Sequence, residues 1–266
     1  MKIALVGKGG SGKTTLAGTL ARVLARRRHR VLAIDGDPNP NLALTLGMSR
    51  ADADRIRSIP SSLVQSVTAP SGESNLRLTM ERDRVLSEFA ANAPDGVKLI
   101  VMGKPADGSA GSGCMCASHR AVRGLIAEMG AGDGGEFTVT DMEAGLEHLK
   151  RGTARHVEAM LIVAEPYYRS LEAASRTFSL ANELKIPHVY AIANKVRDDA
   201  DRDAIESYCQ QHGMPLLGVV PLEDGFVDAE RNGAAPFDAS AGSAGLRAIE
   251  SLADRLIELE TAAVSA

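Results

Sequence analysis

The sequence predicts an α/β fold built on a mainly parallel β-sheet flanked by helices on both faces. Three observations lead there. Apolar runs of strand length alternate with helical patterns of crossover length along the chain. Those runs are continuous rather than alternating, as expected of strands covered on both faces. The first of them passes at once into a glycine-rich turn and then an apolar helical stripe.

Taken in order, Lys2–Val6 reads as a strand, Gly7–Gly12 as a turn with four glycines, and Leu16, Leu20, Val23 and Leu24 as the buried stripe of a helix. The basic run Arg26–Arg30 ends that helix, where positive charge suits the helix dipole, and Val31–Asp35 is the second strand. Further strands are expected at Leu99–Gly103, Phe137–Asp141, Met160–Ala164, Val189–Asn194 and Leu216–Val220. Helices are expected near Ala117–Met129, Glu147–Val157, Tyr168–Leu184, Asp201–His212 and Leu246–Leu259. Two stretches interrupt the alternation. Arg50–Ser74, rich in Ser, Pro and Asp, reads as an insertion at the sheet's edge, and Gly130–Glu136 as an acidic, Gly-rich surface loop. Neither has the character of a linker, so residues 1–266 are expected to form one domain with an edge insertion at about 50–75.

Composition narrows the function. With 266 residues, 44% hydrophobic and 24% charged, the chain is globular in type, which sets aside disorder and disulfide scaffolds. A net charge of −4 and only 3% aromatics, with no Trp, supply neither the basic footprint nor the stacking platforms of nucleic-acid binding. No apolar run reaches the roughly 18 residues of a membrane span, and Met1–Val6 is too short for a signal-peptide core. The C-terminal helix is acidic at Asp254, Glu258 and Glu260, where a membrane anchor would be basic. A cytoplasmic protein is expected. Its cysteines, Cys114, Cys116 and Cys209, would then serve as ligands or packing rather than disulfides.

Gly7-Lys8-Gly9-Gly10-Ser11-Gly12-Lys13-Thr14 matches G-x-x-x-x-G-K-[ST], between a strand and a helix. Glycines let successive backbone N–H groups curl around phosphate oxygens, and the helix N-terminus adds its positive end. This predicts a P-loop nucleotide hydrolase, with Lys13 neutralising the β and γ phosphates and the Thr14 hydroxyl ligating Mg²⁺. With Lys8 directly after the first glycine, the run Gly7–Thr15 resembles the deviant phosphate loop of the family that includes the nitrogenase iron protein and the chromosome- and division-site-positioning ATPases. The resemblance implies a homodimer in which Lys8 reaches the partner's nucleotide, where it would act like an arginine finger in trans. It also implies roles for three strand ends. Asp35-Gly36-Asp37-Pro38-Asn39-Pro40-Asn41 resembles switch I, with Asp37 positioning the attacking water and Asp35 and Asn41 in support. Asp141-Met142-Glu143-Ala144-Gly145 resembles switch II, with Asp141 holding Mg²⁺ through water and the Gly145 N–H sensing the γ-phosphate. Asn194-Lys195 resembles the adenine-reading position, assigned to Asn194. ATP and ADP rather than GTP are implied by resemblance alone.

Cys114-Met115-Cys116 lies in a glycine-flanked turn just before a helix. Two thiols at this spacing can face one metal but cannot fill a tetrahedral site alone. A two-fold axis through the motif would bring four thiolates together, and the helix N-terminus favours the thiolate form. The other readings are buried small residues, against which the polar Gly-rich flanks argue, and a redox pair, which C-x-C does not match. His119 stands near enough to be an accessory ligand or simply a surface residue, and Cys209 reads as packing.

Together Gly7–Thr15, Asp35–Leu42, Gly111–Cys116, Asp141–Thr153, Glu165-Pro166 and Asn194-Lys195-Val196 resemble the CooC-type nickel-insertion ATPases that mature carbon monoxide dehydrogenase. The resemblance implies a homodimer that hydrolyses ATP with Mg²⁺ and binds nickel through Cys114 and Cys116 of each subunit, zinc being an alternative in vitro. Its partner would be a nickel-dependent client enzyme. Two other readings stay open: a nucleotide-dependent dimerisation switch with structural cysteines, and an iron–sulfur reductase-like protein.

Overall fold

The computed structural model describes residues 1–68, 74–102, 116–129, 135–145 and 154–264. In chain order the strands are β1 (Lys2–Gly7), β2 (Arg30–Gly36), β3 (Val64–Thr68), β4 (Ser74–Leu78), β5 (Ala91–Asn92), β6 (Lys98–Val101), β7 (Glu136–Met142), β8 (Ala159–Ala164), β9 (His188–Val196) and β10 (Leu216–Pro221). The helices are α1 (Lys13–Arg26), α2 (Leu42–Thr45), α3 (Arg50–Ala53), α4 (Arg82–Phe89), α5 (Cys116–Glu128), α6 (Tyr168–Glu183), α7 (Asp199–Gln211), α8 (Asp224–Asn232), α9 (Pro236–Ala239) and α10 (Ala244–Val264). Eight strands form one sheet in the order β10-β9-β8-β1-β7-β2-β6-β5. All its pairings are parallel except β5 with β6. The α/β class with a mainly parallel sheet is as expected.

Strand pleating sends alternate side chains to opposite faces. Ile3 and Leu5 join Leu16, Leu20 and Leu24 of α1 and Ile249, Leu252 and Leu256 of α10 in one buried cluster. Ala4 and Val6 face the other way, into a cluster with Leu125 and Ile126 of α5, Leu171 of α6 and Ile205 of α7. Cys209 is buried in that second cluster, in the packing role its helix pattern suggests. Among the described residues no helix is long and apolar enough to cross a membrane.

Three stretches differ from the sequence reading or extend it. Of the helix expected at Glu147–Val157, residues 147–153 lie outside the described residues, and Ala154–His156 form a turn instead. The buried Ala154 and Val157, three apart, imitate a helical stripe, but Val157 already leads into β8. The interruption after Arg50 folds as α3, a short 3-10 turn at Ser61–Leu63 and the hairpin β3–β4, which pairs only with itself. That hairpin packs on α5, where Val64 sits over Gly124 in space a Cβ would occupy. The sheet's edge is instead β5, preceded by α4, whose Val85 and Phe89 are four apart and buried.

α1 carries the phosphate loop, and a buried cation anchors it. Arg22, 3% exposed, donates to Asp95 at 2.7 Å and to Asp238 at 2.5 Å, and stacks over Phe237 at 4.4 Å. Removing it leaves the partly buried Asp95 with only the exposed Arg26. Arg22→Ala should therefore destabilise the protein by about 2–3 kcal/mol in urea unfolding. Arg26→Ala, an exposed position, should cost about 0.5 kcal/mol or less.

Candidate nucleotide site

Strand register assembles this site. β1 lies between β7 and β8, so the loop leaving β1 opens between the ends of its two neighbours. Gly7 crosses closest to β8: a Cβ there would come within 2.5 Å of the Val163 carbonyl oxygen, at a φ of +152°. Ser11 is fully buried, and the loop closes by a hydrogen bond from the Ser11 amide to the Lys8 carbonyl at 3.2 Å. Lys13 opens α1 and is 7% exposed, its Nζ donating to the Lys8 carbonyl at 3.2 Å. Burial lowers its pKa, while the charges of Asp141 and Asp37 oppose that shift. Lys8 itself is exposed.

The two acidic strand ends meet beside the loop because Asp35 of β2 and Asp141 of β7 are register partners. Asp35 is fully buried and accepts from the Leu42 amide at 2.9 Å and the Asp37 amide at 3.2 Å, which fixes the turn between β2 and α2. Asp37 accepts in turn from the Asn39 amide at 2.8 Å, and Asn41 donates to the Asn39 carbonyl at 2.9 Å. Asp37 and Asn41 thus stand in the loop that follows β2, with Asp35 shaping it from below.

Asp141 is 2% exposed, and its Oδ2 accepts from the Thr14 hydroxyl at 2.6 Å. Its Oδ1 is buried with no hydrogen-bond partner among the described residues. An orphaned carboxylate oxygen beside a hydroxyl and a buried lysine is a donor set that suits Mg²⁺, which keeps most of its waters and shares itself with substrate phosphates. Thr14 and Asp141 are the residues that would hold it. Gly145, three residues past the end of β7, has a φ of +109°.

Beyond the loop lies a cavity of about 240 Å³ lined by Gly12, Thr15, Asn194, Pro221, Leu222 and Phe226 among others. It lies between the ends of β9 and β10 and the first turns of α8. Asn194, 6% exposed, donates from Nδ2 to the Ser11 carbonyl at 2.7 Å and occupies the space a Cβ on Gly12 would need. Glu223, at the cavity's rim, accepts from the Gly245 amide at 3.0 Å and ties the rim to α10.

The structure therefore brings Lys13, Thr14, Asp35, Asp37, Asp141 and Asn194 to one sheet edge with the loop glycines. Cys114 lies outside the described residues, and Cys116 is described only as the backbone start of α5. Among the described residues no group of three His, Cys, Asp or Glu could hold a metal by itself. His119 Nε2 lies 3.6 Å from Glu143 Oε2, just past β7. The sequence reading did not pick out Pro221, Leu222 and Phe226 as cavity walls; their signal was only their place at and after a strand end.

Burial pushes the carboxyl pKa up at both acids, to about 6 at Asp35 and about 7 at Asp141, where the Asp35 charge adds to it and the Thr14 hydrogen bond opposes it. Both folded values exceed the ordinary 3.8. The stability they contribute is therefore complete below about pH 4 and is lost as pH rises through 6 and 7. Asp141→Asn mimics the protonated form, so at pH 8 without nucleotide it should be more stable than the parent by about 2 kcal/mol. The difference should shrink as pH falls and vanish below about pH 4, as thermal melts across pH will show. The same variant should lose Mg²⁺-dependent enhancement of nucleotide binding.

The "CobQ/CobB/MinD/ParA nucleotide binding domain" family matches residues 3–237. The carbon monoxide dehydrogenase accessory protein CooC of Rhodospirillum rubrum is 36% identical over 90% of both chains. An uncharacterized ATP-binding protein of Methanocaldococcus jannaschii is 31% identical over 97% of this chain and 98% of its own. In structure, the cell division protein MinD of Aquifex aeolicus superposes with a TM-score of 0.69 at 22% identity, covering 97% of this chain and 96% of that one. The match takes in the phosphate loop, both acidic strand ends and the cavity walls, and the chain belongs to the CobQ/CobB/MinD/ParA nucleotide-binding family, as a CooC-type member of its deviant phosphate-loop branch.

Proposed function

We propose that this chain is a homodimeric, Mg²⁺-dependent ATPase that carries nickel on Cys114 and Cys116 and delivers it to carbon monoxide dehydrogenase or a similar nickel enzyme. The observation that carries the reading is the likeness to CooC over 90% of both chains, together with the sequence Cys114-Met115-Cys116, whose last residue begins α5. In this reading the loop amides and Lys13 hold the β and γ phosphates. Thr14 and, through water, Asp141 would hold Mg²⁺, which would supply neutralising charge to the phosphate oxygens. Asp37 orients the attacking water, with Asp35 and Asn41 holding its loop in place, and Lys8 of each subunit reaches the nucleotide of the other. The Gly145 amide reports the γ-phosphate, and Asn194 meets the base.

Nickel is the cargo. Two thiols per chain leave a tetrahedral site half filled, so a two-fold axis through the cysteine turns completes it with four. Nucleotide that closes the dimer changes metal affinity, and by reciprocity metal changes nucleotide affinity by the same factor. A second reading, a MinD-like dimerisation switch with structural cysteines, is favoured by the fold likeness to MinD and by a 27% identical putative septum site-determining protein MinD of Chlorella vulgaris.

Titration of Ni²⁺ into the reduced protein, with and without ADP, separates the two. The expected result is one nickel per dimer, absent in Cys114→Ser/Cys116→Ser, with an affinity that depends on nucleotide. Nickel uptake independent of both cysteines, or none, would leave the switch reading. Iron uptake with visible cluster absorbance would instead favour a reductase-like protein. In steady-state assays Asp37→Ala should lower kcat at least about 100-fold with little change in ADP affinity, since it acts on the attacking water.

A further inference from the structure

Asn194, to which the resemblance assigns base reading, and its neighbour Lys195 both turn side-chain donors toward the phosphate loop. Asn194 Nδ2 donates to the Ser11 carbonyl at 2.7 Å, and Lys195 Nζ donates to the Gly10 carbonyl at 2.5 Å. Two consecutive residues at the end of β9 thus hold two consecutive carbonyls of the loop. In a trans peptide the C=O and the next N–H point in opposite directions. Holding the Ser11 carbonyl toward β9 therefore aims the Gly12 N–H away from it. Holding the Gly10 carbonyl does the same for the Ser11 N–H, which closes the turn onto Lys8.

The lysine is itself held. Its ammonium lies 3.0 Å from Glu165 Oε1 at the end of β8, with side chains 38% and 14% exposed. Glu165 is fixed in turn, since its own amide donates to Ser170 Oγ at 3.0 Å. Lys195 also has a φ of +59°, a left-handed conformation that a residue with a side chain adopts only at a cost. A glycine would satisfy that backbone better, so a lysine kept there has its use in the side chain.

We propose that Lys195, braced by Glu165, is a positioning residue for the phosphate loop: with Asn194 it fixes the peptide planes Gly10–Ser11 and Ser11–Gly12, so that the Ser11 amide closes the turn onto Lys8 and the Gly12 amide is held turned away from β9, ready for a polyphosphate before one arrives. Lys195 makes no contact with phosphate in this role. Its function is to keep an otherwise soft, glycine-rich loop from exploring other peptide orientations, whose ordering would be charged against nucleotide affinity.

Lys195→Gly tests this without threatening the fold, because it relieves the positive φ while removing the clamp. Hydrogen exchange of residues 8–12 in the nucleotide-free protein and ADP affinity by calorimetry are the two readouts. Exchange across the loop should rise and ADP affinity should fall about tenfold or more, the effect of losing a charged hydrogen bond, with no drop in melting temperature. Glu165→Gln should move both readouts the same way by less, and Lys195→Arg should restore most of the affinity. Unchanged loop exchange with weakened ADP binding would overturn the proposal and make Lys195 a direct nucleotide contact. Unchanged ADP affinity would overturn it as well.

Discussion

Two carboxylates buried side by side at the end of a parallel sheet are the constraint on which this site depends. Register between β2 and β7 puts Asp35 against Asp141. That register is difficult to alter, because a one-residue slip would turn every strand side chain to the opposite face. Both faces here are apolar and covered, so the sheet holds the acids in place whatever their electrostatic cost. Among the described residues neither acid has an ion-pair partner. Asp35 spends its oxygens on backbone amides, and Asp141 has one hydroxyl and one orphaned oxygen. The buried Lys13 is the cation beside them, and a hydrated divalent cation brought in with a polyphosphate would add to its charge.

The parts of this architecture with local causes were readable in the sequence. Strands covered on both faces announce themselves as unbroken apolar runs, and β1, β2, β7, β8, β9 and β10 all fall within two residues of where the runs place them. The loop was readable because phosphate binding needs glycines and a lysine at fixed spacing, whatever surrounds them. What escaped has non-local causes. Phe226 and Leu222 wall a cavity only because β10 lies beside β9, which no local pattern states. Ala154 and Val157 carry helical spacing, yet the chain between them is a turn entering β8. The hairpin β3–β4 looked like an interruption because its strands are short and largely exposed, and it is held by α5 rather than by the main sheet.

The path from nucleotide to metal in the proposed cycle is short. Asp141 ends β7, and within a few residues the chain passes Glu143 and Gly145. Glu143 sits 3.6 Å from His119, one turn into α5, whose first residue is Cys116. The Glu143–His119 contact thus links the end of β7 to the helix that begins at Cys116. Such a contact transmits a change only if its two arrangements differ in affinity for each ligand. The proposed metal shared between two copies would meet that condition, because its coordination would be complete in one relative placement of the subunits and broken in the other.

Charge gives the same assembly an independent motive. Lys8 is exposed, and its own carbonyl is taken by Lys13 and the Ser11 amide. The loop's backbone is already braced from behind by Asn194 and Lys195. Among the described residues none pairs with the exposed Lys8 ammonium, which is left available to a ligand. A second nucleotide brought face to face would use that ammonium, replacing water with fixed positive charge where the phosphates are most negative. Two thiols per chain are too few for a tetrahedral site, and among the described residues none takes up the Lys8 ammonium; one two-fold arrangement would answer both needs.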